Sequence, residues 1–286
     1  MISYDDPLDS GFVADIPRSR ALYEQLRQFH WEFYSELAYQ RNKIYDSLKT
    51  SLRQRAEPFE VLQWQRALKY KYALHPLGTK GSVVDPGGRF NIGEIDPTRY
   101  PTFAALYIAE DKGTALAELL GRNTSIASLT PEELALTKPD SIAVVSVSGH
   151  LDTVLDIRDD SNLAGFVALI KGFRVKPAVA SEARKLGRPL NIIRTVQELT
   201  RVLHLTEWRN WPALYDVPAA CQIFGRIVFD AQIDGILYKS VLTQKRCLAI
   251  YPQNFRQSSS YIELDDPVPP ELVVRRIDSS NCESTD

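Results

Sequence analysis

The sequence predicts an α+β protein with a helical N-terminal extension, and three observations carry that reading. Apolar side chains recur at spacings of three, four and seven from Leu22 to Leu52, the period of one helix face. After Phe59 the period falls to two, that of a strand. Further on, short apolar runs that suit strands interleave with helical stretches, at residues 103–108, 141–157, 234–240 and 245–252. The chain accordingly divides into a helical extension (1–58), a main domain (59–265) and a polar tail (266–286) that reads as flexible.

Composition narrows the classes. Of 286 residues, 44% are hydrophobic, ample for a core, and 34 basic side chains against 36 acidic leave a net charge of −2. A phosphate-backbone binder usually carries a basic excess, so direct nucleic-acid binding is not expected. Three scattered cysteines, Cys221, Cys247 and Cys282, form no CxxC and fit neither a disulfide framework nor a zinc site. No apolar run approaches the ~18 residues of a membrane span, and the first residues do not look like a signal peptide. A cytoplasmic protein is expected, with no membrane association and no metal.

The N-terminal stripe runs through Leu22, Leu26, Phe29, Phe33, Leu37, Ile44, Leu48 and Leu52, and residues 38–43 are its weakest part and the expected bend. A helix over residues 18–55 would span roughly 55 Å at ~1.5 Å per residue. Such a stripe either folds back as a hairpin on its own domain or meets a second chain, by self-association or by docking a partner. His30 beside it reads as a structural imidazole. In the strand that follows, Leu62, Trp64, Arg66, Leu68 and Tyr70 share a face. A guanidinium among apolar residues is either paired or aimed into a cavity that admits an anion, so Arg66 is a candidate site residue.

Residues 85–121 form the centre of the reading: a loop, a short strand and a capped helix. Pro86-Gly87-Gly88-Arg89 sets a cation among glycines, whose bare backbone approaches a ligand closely. Asp111 is the expected N-cap and Gly121 the expected stop. Ala115, Leu116, Leu119 and Leu120 form the expected apolar arc, which leaves Glu118 facing water or a cleft. Gly78-Thr79-Lys80-Gly81-Ser82 lacks the P-loop spacing and reads as a turn, and no GxSxG, HExxH or GxGxxG occurs. Two strands are expected in 141–157, parted at Gly149, then helices at 162–173 and 179–205. A break follows at Trp208 to Pro212, then a helix at 218–228. Two strands turn at Thr243-Gln244, with Ser240 at the mouth of the first, and the last ten or so residues read as disordered.

Six segments occur in an order that resembles the RES domain. They are Trp64-Gln65-Arg66, Gly87-Gly88-Arg89-Phe90-Asn91, Leu106 to Glu110, Ala115-Leu116-Ala117-Glu118, Cys221 to Gly225, and Asp234 to Ser240. The resemblance covers about residues 60 to 252. That family is named for an arginine, a glutamate and a serine, and most members are toxins that destroy NAD and are neutralised by a DNA-binding antitoxin. The resemblance implies a split β-sheet core with flanking helices, like that of ADP-ribosyltransferase toxins. It implies Arg66, Glu118 and Ser240 as the catalytic set and Arg89 as a second cation, with Gly88, Phe90, Asn91 and Tyr107 at the substrate. NAD would be substrate, with no cofactor, and the nicotinamide–ribose bond would be cleaved with water or phosphate as acceptor. ADP-ribosyl transfer to a macromolecule, or a non-catalytic nucleotide-binding module on the same scaffold, are the alternatives. The N-terminal extension and the helical segment near 177–207 depart from the compact family pattern.

Overall fold

The computed structural model describes residues 10–120, 142–188, 190–268 and 273–283, with side chains from Arg20 onward. Seven strands build one sheet: β1 (Glu57–Lys69), β2 (Leu106–Ala109), β3 (Ile142–Asp156), β4 (Gly235–Lys239), β5 (Arg246–Ile250), β6 (Tyr261–Leu264) and β7 (Arg276–Ile277). Their order is β1-β2-β5-β4-β3-β6-β7, and β1 pairs with β3 as well, so the first five strands close a circuit. Only β3 and β4 run parallel. Successive side chains point to opposite faces, so the circuit separates two cores. One holds Trp64, Leu106, Ile108, Val147, Leu237 and Leu248. The other packs Ile236, Tyr238, Cys247 and Ala249 against the helices. Between β1 and β2 the pairing shrinks to one register pair, Gln65 opposite Ala109. The sheet is split there.

Eight helices are described. They are α1 (Ser10–Lys43), α2 (Tyr45–Arg53), α3 (Lys112–Leu120), α4 (Ser161–Ile170), α5 (Pro177–Lys185), α6 (Val196–Leu203), α7 (Asn210–Tyr215) and α8 (Ala220–Asp230). The N-terminal stripe breaks at Ile44, just past the expected bend. Instead of closing into a hairpin, α1 lies on α5 and α7 while α2 lies on α4 and α8. Phe29 packs with Val179 and Ala183 of α5, and Leu48 and Leu52 are fully buried in the main core. Most of the stripe is thus covered by the chain's own helices, although Leu22 stays exposed. His30 is structural as expected, stacked on Tyr215 with ring centroids 3.9 Å apart. None of the described helices is long and apolar enough to cross a membrane.

Several elements differ from the sequence reading, each for a physical reason. In β1, Gln63 adopts φ 54° and the register against β3 slips between Val61 and Trp64. This bulge inserts one residue and inverts the alternation before it. Val61 is therefore buried, and Leu62, expected in the core, is 72% exposed. Tyr70 leaves the strand for a 3₁₀ turn, Tyr70–Tyr72. Strand β3 runs unbroken through Gly149, where a Cβ would sit 2.2 Å from the Tyr261 carbonyl oxygen of β6. The glycine there admits a neighbouring strand and does not end one. Strand β2 starts at Leu106, later than the apolar run predicts. In α3, Asp111 caps as expected by accepting from the Thr114 N–H at 3.0 Å. Its buried face, however, is Thr114, Ala115 and Ala117, and Leu119 is exposed. The Gly121 stop lies outside the described residues.

The stretch expected as one helix over 179–205 is two, α5 and α6, with Ile192 in the non-helical connection. Helix α6 opens with a capping box between Thr195 and Glu198. The expected break at Trp208 to Pro212 is helical as well, because Pro212 falls in the first turn of α7, where its missing N–H is not needed. The tail is not all flexible. Strand β7 pairs with β6, and Cys282 is buried.

Helix α8 crosses the glycine loop so closely that a Cβ on Gly225 would lie 2.2 Å from the Phe90 carbonyl oxygen. Gly225→Ala is expected to cost about 1–3 kcal/mol through overpacking. Gly172→Ala, where no atom lies within 4 Å, should leave urea midpoints nearly unchanged. Equal midpoints for the two variants would refute the close approach.

Candidate active site

At the split of the sheet, beside Gln65 and Ala67 of β1 and Tyr107 and Ala109 of β2, opens a cleft of about 370 Å³, a size suited to a small ligand. One side is the loop Gly87-Gly88-Arg89, and its backbone is fixed from beneath. The fully buried Gln222 of α8 donates through its side-chain amide to the carbonyls of Pro86 at 2.7 Å, Gly88 at 3.2 Å and Asn91 at 3.0 Å. It accepts from the Ala219 N–H at 3.0 Å. Asn91, also fully buried, donates to the Ser82 carbonyl at 2.7 Å and the Phe103 carbonyl at 3.1 Å. Its Oδ1 accepts from the Gly88 N–H at 2.9 Å and the Tyr107 hydroxyl at 2.8 Å. The Tyr107 hydroxyl in turn accepts from the Phe90 N–H at 2.9 Å. Every polar atom of both amide side chains has a partner, as a buried amide requires.

Arg89 reaches from this loop to the far wall. Its Nη1 donates to the carbonyls of Leu203 at 3.1 Å and Leu205 at 2.8 Å, at the C-terminal end of α6, where carbonyls lack helical partners and favour a cation. The 3₁₀ turn Thr206–Arg209 continues that wall. Trp208 stands beneath two guanidinium groups, Arg209 at 4.5 Å and Arg89 at 6.0 Å from its ring centre. Thr206, Trp208 and Arg209 all line the cleft.

Glu118 also lines the cleft. Ser240, fully buried at the start of the β4–β5 turn, donates its hydroxyl to Glu118 Oε1 at 2.6 Å. The same Oγ accepts from the N–H groups of Leu242 at 3.1 Å and Thr243 at 3.2 Å. Two incoming donors leave the single O–H directed at the carboxylate, and the chain of bonds polarises it. Two further contacts tie α3 to this turn: Thr114 Oγ1 to Thr243 Oγ1 at 3.0 Å, and Asp111 to Lys245 at 3.3 Å. Arg89 and Glu118 both act electrostatically on the hydroxyls of Tyr107 and Tyr238. Burial, the largest influence, holds both phenols protonated well above their usual range. Burial likewise pushes the Cys221 thiol up to about 12 and raises that of Cys247, so neither offers a thiolate nucleophile at neutral pH. Among the described residues no cluster of three or more His, Cys, Asp or Glu is placed to hold a metal.

The structure thus brings Gly88, Arg89, Tyr107 and Glu118 to one cleft, with Ser240 behind Glu118. It does not bring Arg66 there. Arg66 shares its face of β1 with Trp64 and Leu68, away from the cleft-lining Gln65 and Ala67. Its Nη2 donates to the Gly78 carbonyl at 2.6 Å, Nε is buried without a partner, and burial pushes its pKa down to about 10. Phe90 also departs from expectation, packed in the core against Tyr238 with ring centroids 4.9 Å apart. Asn91 holds the loop and does not line the cleft. Sequence reasoning missed Gln65, Trp208 and Arg209. The one available signal was the Trp208-Arg209 pair, an aromatic beside a cation at the end of the helical segment.

An α+β fold whose split sheet holds a cation-and-carboxylate cleft defines a nucleotide-sized candidate enzyme site. The family model of the RES domain matches residues 63–269, and the chain belongs to this family. Among solved structures, the crystal structure of the M. tuberculosis MbcT-MbcA toxin-antitoxin complex is similar at 15% identity and a TM-score of 0.41, covering 84% of this chain and 96% of that one. The comparison with curated proteins finds no match.

The Gln222 clamp makes a direct prediction. Gln222→Met keeps the volume but leaves the Asn91 carbonyl and the Ala219 N–H without this partner, and leaves the Pro86 and Gly88 carbonyls with only the N–H groups of Gly93 and Asn91. A loss of about 1–3 kcal/mol is expected, read by urea unfolding, with faster hydrogen exchange at Gly88. Unchanged exchange there would show that the loop is held by other contacts.

Proposed function

We propose that the chain is an NAD-degrading enzyme acting as a toxin in the cytoplasm, cleaving the bond between nicotinamide and ribose. The observation that carries the reading is Glu118, held by the Ser240 hydroxyl at 2.6 Å on a cleft that Arg89 and Arg209 also line. Guanidinium groups match phosphate oxygens in pairs, so Arg89 and Arg209 are assigned to the pyrophosphate. In this reading the carbon–nitrogen bond breaks with its electron pair passing to the nicotinamide ring, whose positive charge is thereby cancelled. Positive charge develops on the ribose, as in an oxocarbenium-like transition state, and the Glu118 carboxylate stabilises it at a fixed position. Ser240 acts as the positioning residue of that carboxylate. The departing nicotinamide is neutral, so no strong general acid is called for. Water or phosphate then adds to the ribose carbon from the cleft. With water the products are nicotinamide, ADP-ribose and a proton.

A neutralising antitoxin is proposed as partner because most of the family resembled here consists of such toxins.

The test is to incubate the purified chain with NAD, with and without phosphate, and to identify the products. Free ADP-ribose, a phosphorylated ADP-ribose or a labelled macromolecule would distinguish hydrolysis, phosphorolysis and transfer. Glu118→Gln is expected to lower turnover on the order of 10² to 10³-fold with an unchanged circular dichroism spectrum. Ser240→Ala should lower it less. A folded Glu118→Gln protein at full activity would sink the assignment, as would a folded parent chain that releases no nicotinamide.

A further inference from the structure

A second cavity, of about 180 Å³, lies beneath α1 and is walled by α1, α4, α6, α7 and α8. Its lining is mainly apolar, with Phe33, Ile170, Val202, Trp211 and Ile223 among it, and His30, Tyr34, Arg41 and Asn191 as its polar members. For scale, an engineered apolar cavity of about 150 Å³ stays dry and takes up benzene. An apolar void lowers stability in proportion to its volume, so a natural cavity of this size needs a reason.

One residue on the wall does not belong to such a void. Arg41, near the end of α1, lines the cavity, and its guanidinium lies 5.7 Å from the Tyr34 ring centre. The groups acting on it electrostatically are Tyr34 and Tyr45, with no carboxylate among them. Burial lowers its pKa. A cation removed from water is costly unless an anion meets it. The other ionisable group close by, His30, has its pKa lowered to about 4, by burial first and then by Arg188, so it is neutral at physiological pH. The cavity therefore presents a half-buried guanidinium with no carboxylate acting on it, the Tyr34 phenol, the Asn191 amide and a long apolar wall. A guanidinium beside a phenol matches the two oxygens of a carboxylate, and the long apolar wall beside them suits an acid that carries a hydrocarbon chain.

We propose that this cavity binds a medium-chain monocarboxylic acid, with its chain along the apolar wall and its carboxylate on Arg41 and Tyr34. The inference is independent of the reaction assigned to the cleft.

Decanoate and decanol serve as probes with the full chain. Trp208 and Trp211 both line the cavity, so intrinsic fluorescence reads occupancy. Decanoate should bind saturably, one per chain, about tenfold or more tighter than decanol, since charge-assisted pairing is available only to the acid. Arg41→Met should remove most of that preference. Ile223→Trp, which fills the cavity, should abolish binding of both while the circular dichroism spectrum is kept. The proposal is overturned if wild-type protein binds neither probe saturably, if it binds the alcohol as tightly as the acid, or if a folded Ile223→Trp variant still binds decanoate.

Discussion

A single buried amide, Gln222, is what the site depends on. Its side chain joins α8 to three carbonyls of the glycine loop, and through that loop to Arg89. The glycines of the loop have no side chains to bury, so polar bonds hold it. Asn91 and Tyr107 supply more of them, from the loop itself and from β2, and backbone bonds join Gly87 to Val84 and Gly93 to Pro86. A helix, a loop and a strand are thus joined by polar atoms that are fully satisfied where water is absent. Removing one member leaves the others unpaired, and this makes such a network rigid.

The second dependence is the split in the sheet. A continuous β1–β2 pairing would leave no room between the strands, and here it is reduced to Gln65 opposite Ala109. The carboxylate enters on α3, which is carried by the β4–β5 turn through Glu118–Ser240 and Thr114–Thr243. The far wall is the end of α6 and the turn after it, whose carbonyls take Arg89. The helical segment near residues 177–207 therefore contributes to the cleft. It is also part of the apolar cavity beneath α1, because Trp208 lines both.

Much of this was legible in the sequence wherever local chemistry decides. The N-terminal helical stripe, the Asp111 cap, the α8 helix and the β4–β5 hairpin follow from period, capping and turn residues. Glu118 was legible too, as the one charge beside an apolar arc, although the arc itself is rotated. What failed depends on partners distant in sequence. Arg66 looked functional because a cation on an apolar strand face is rare, but alternation alone does not say which face meets the cleft. The bulge at Gln63 inverts a pattern that otherwise reads cleanly. Arg89 is held by carbonyls 114 and 116 positions away, and no local pattern marks a carbonyl as a clamp. Gly149 read as a break because a glycine that admits a neighbouring strand and one that ends a strand look alike in sequence.

The clamps share a direction along the chain. Arg89 is held by residues 203 and 205, the loop by residue 222, and Glu118 by residue 240. Each gripping group is translated after the group it grips. While the chain is still on the ribosome, the loop has no Gln222, the carboxylate has no serine, and β2 has no β5 to pair with. Domains take shape as units once their last essential strand has emerged, and here that strand comes late. The nascent polypeptide thus carries Arg89 and Glu118 through much of translation before the cleft they line has closed around them.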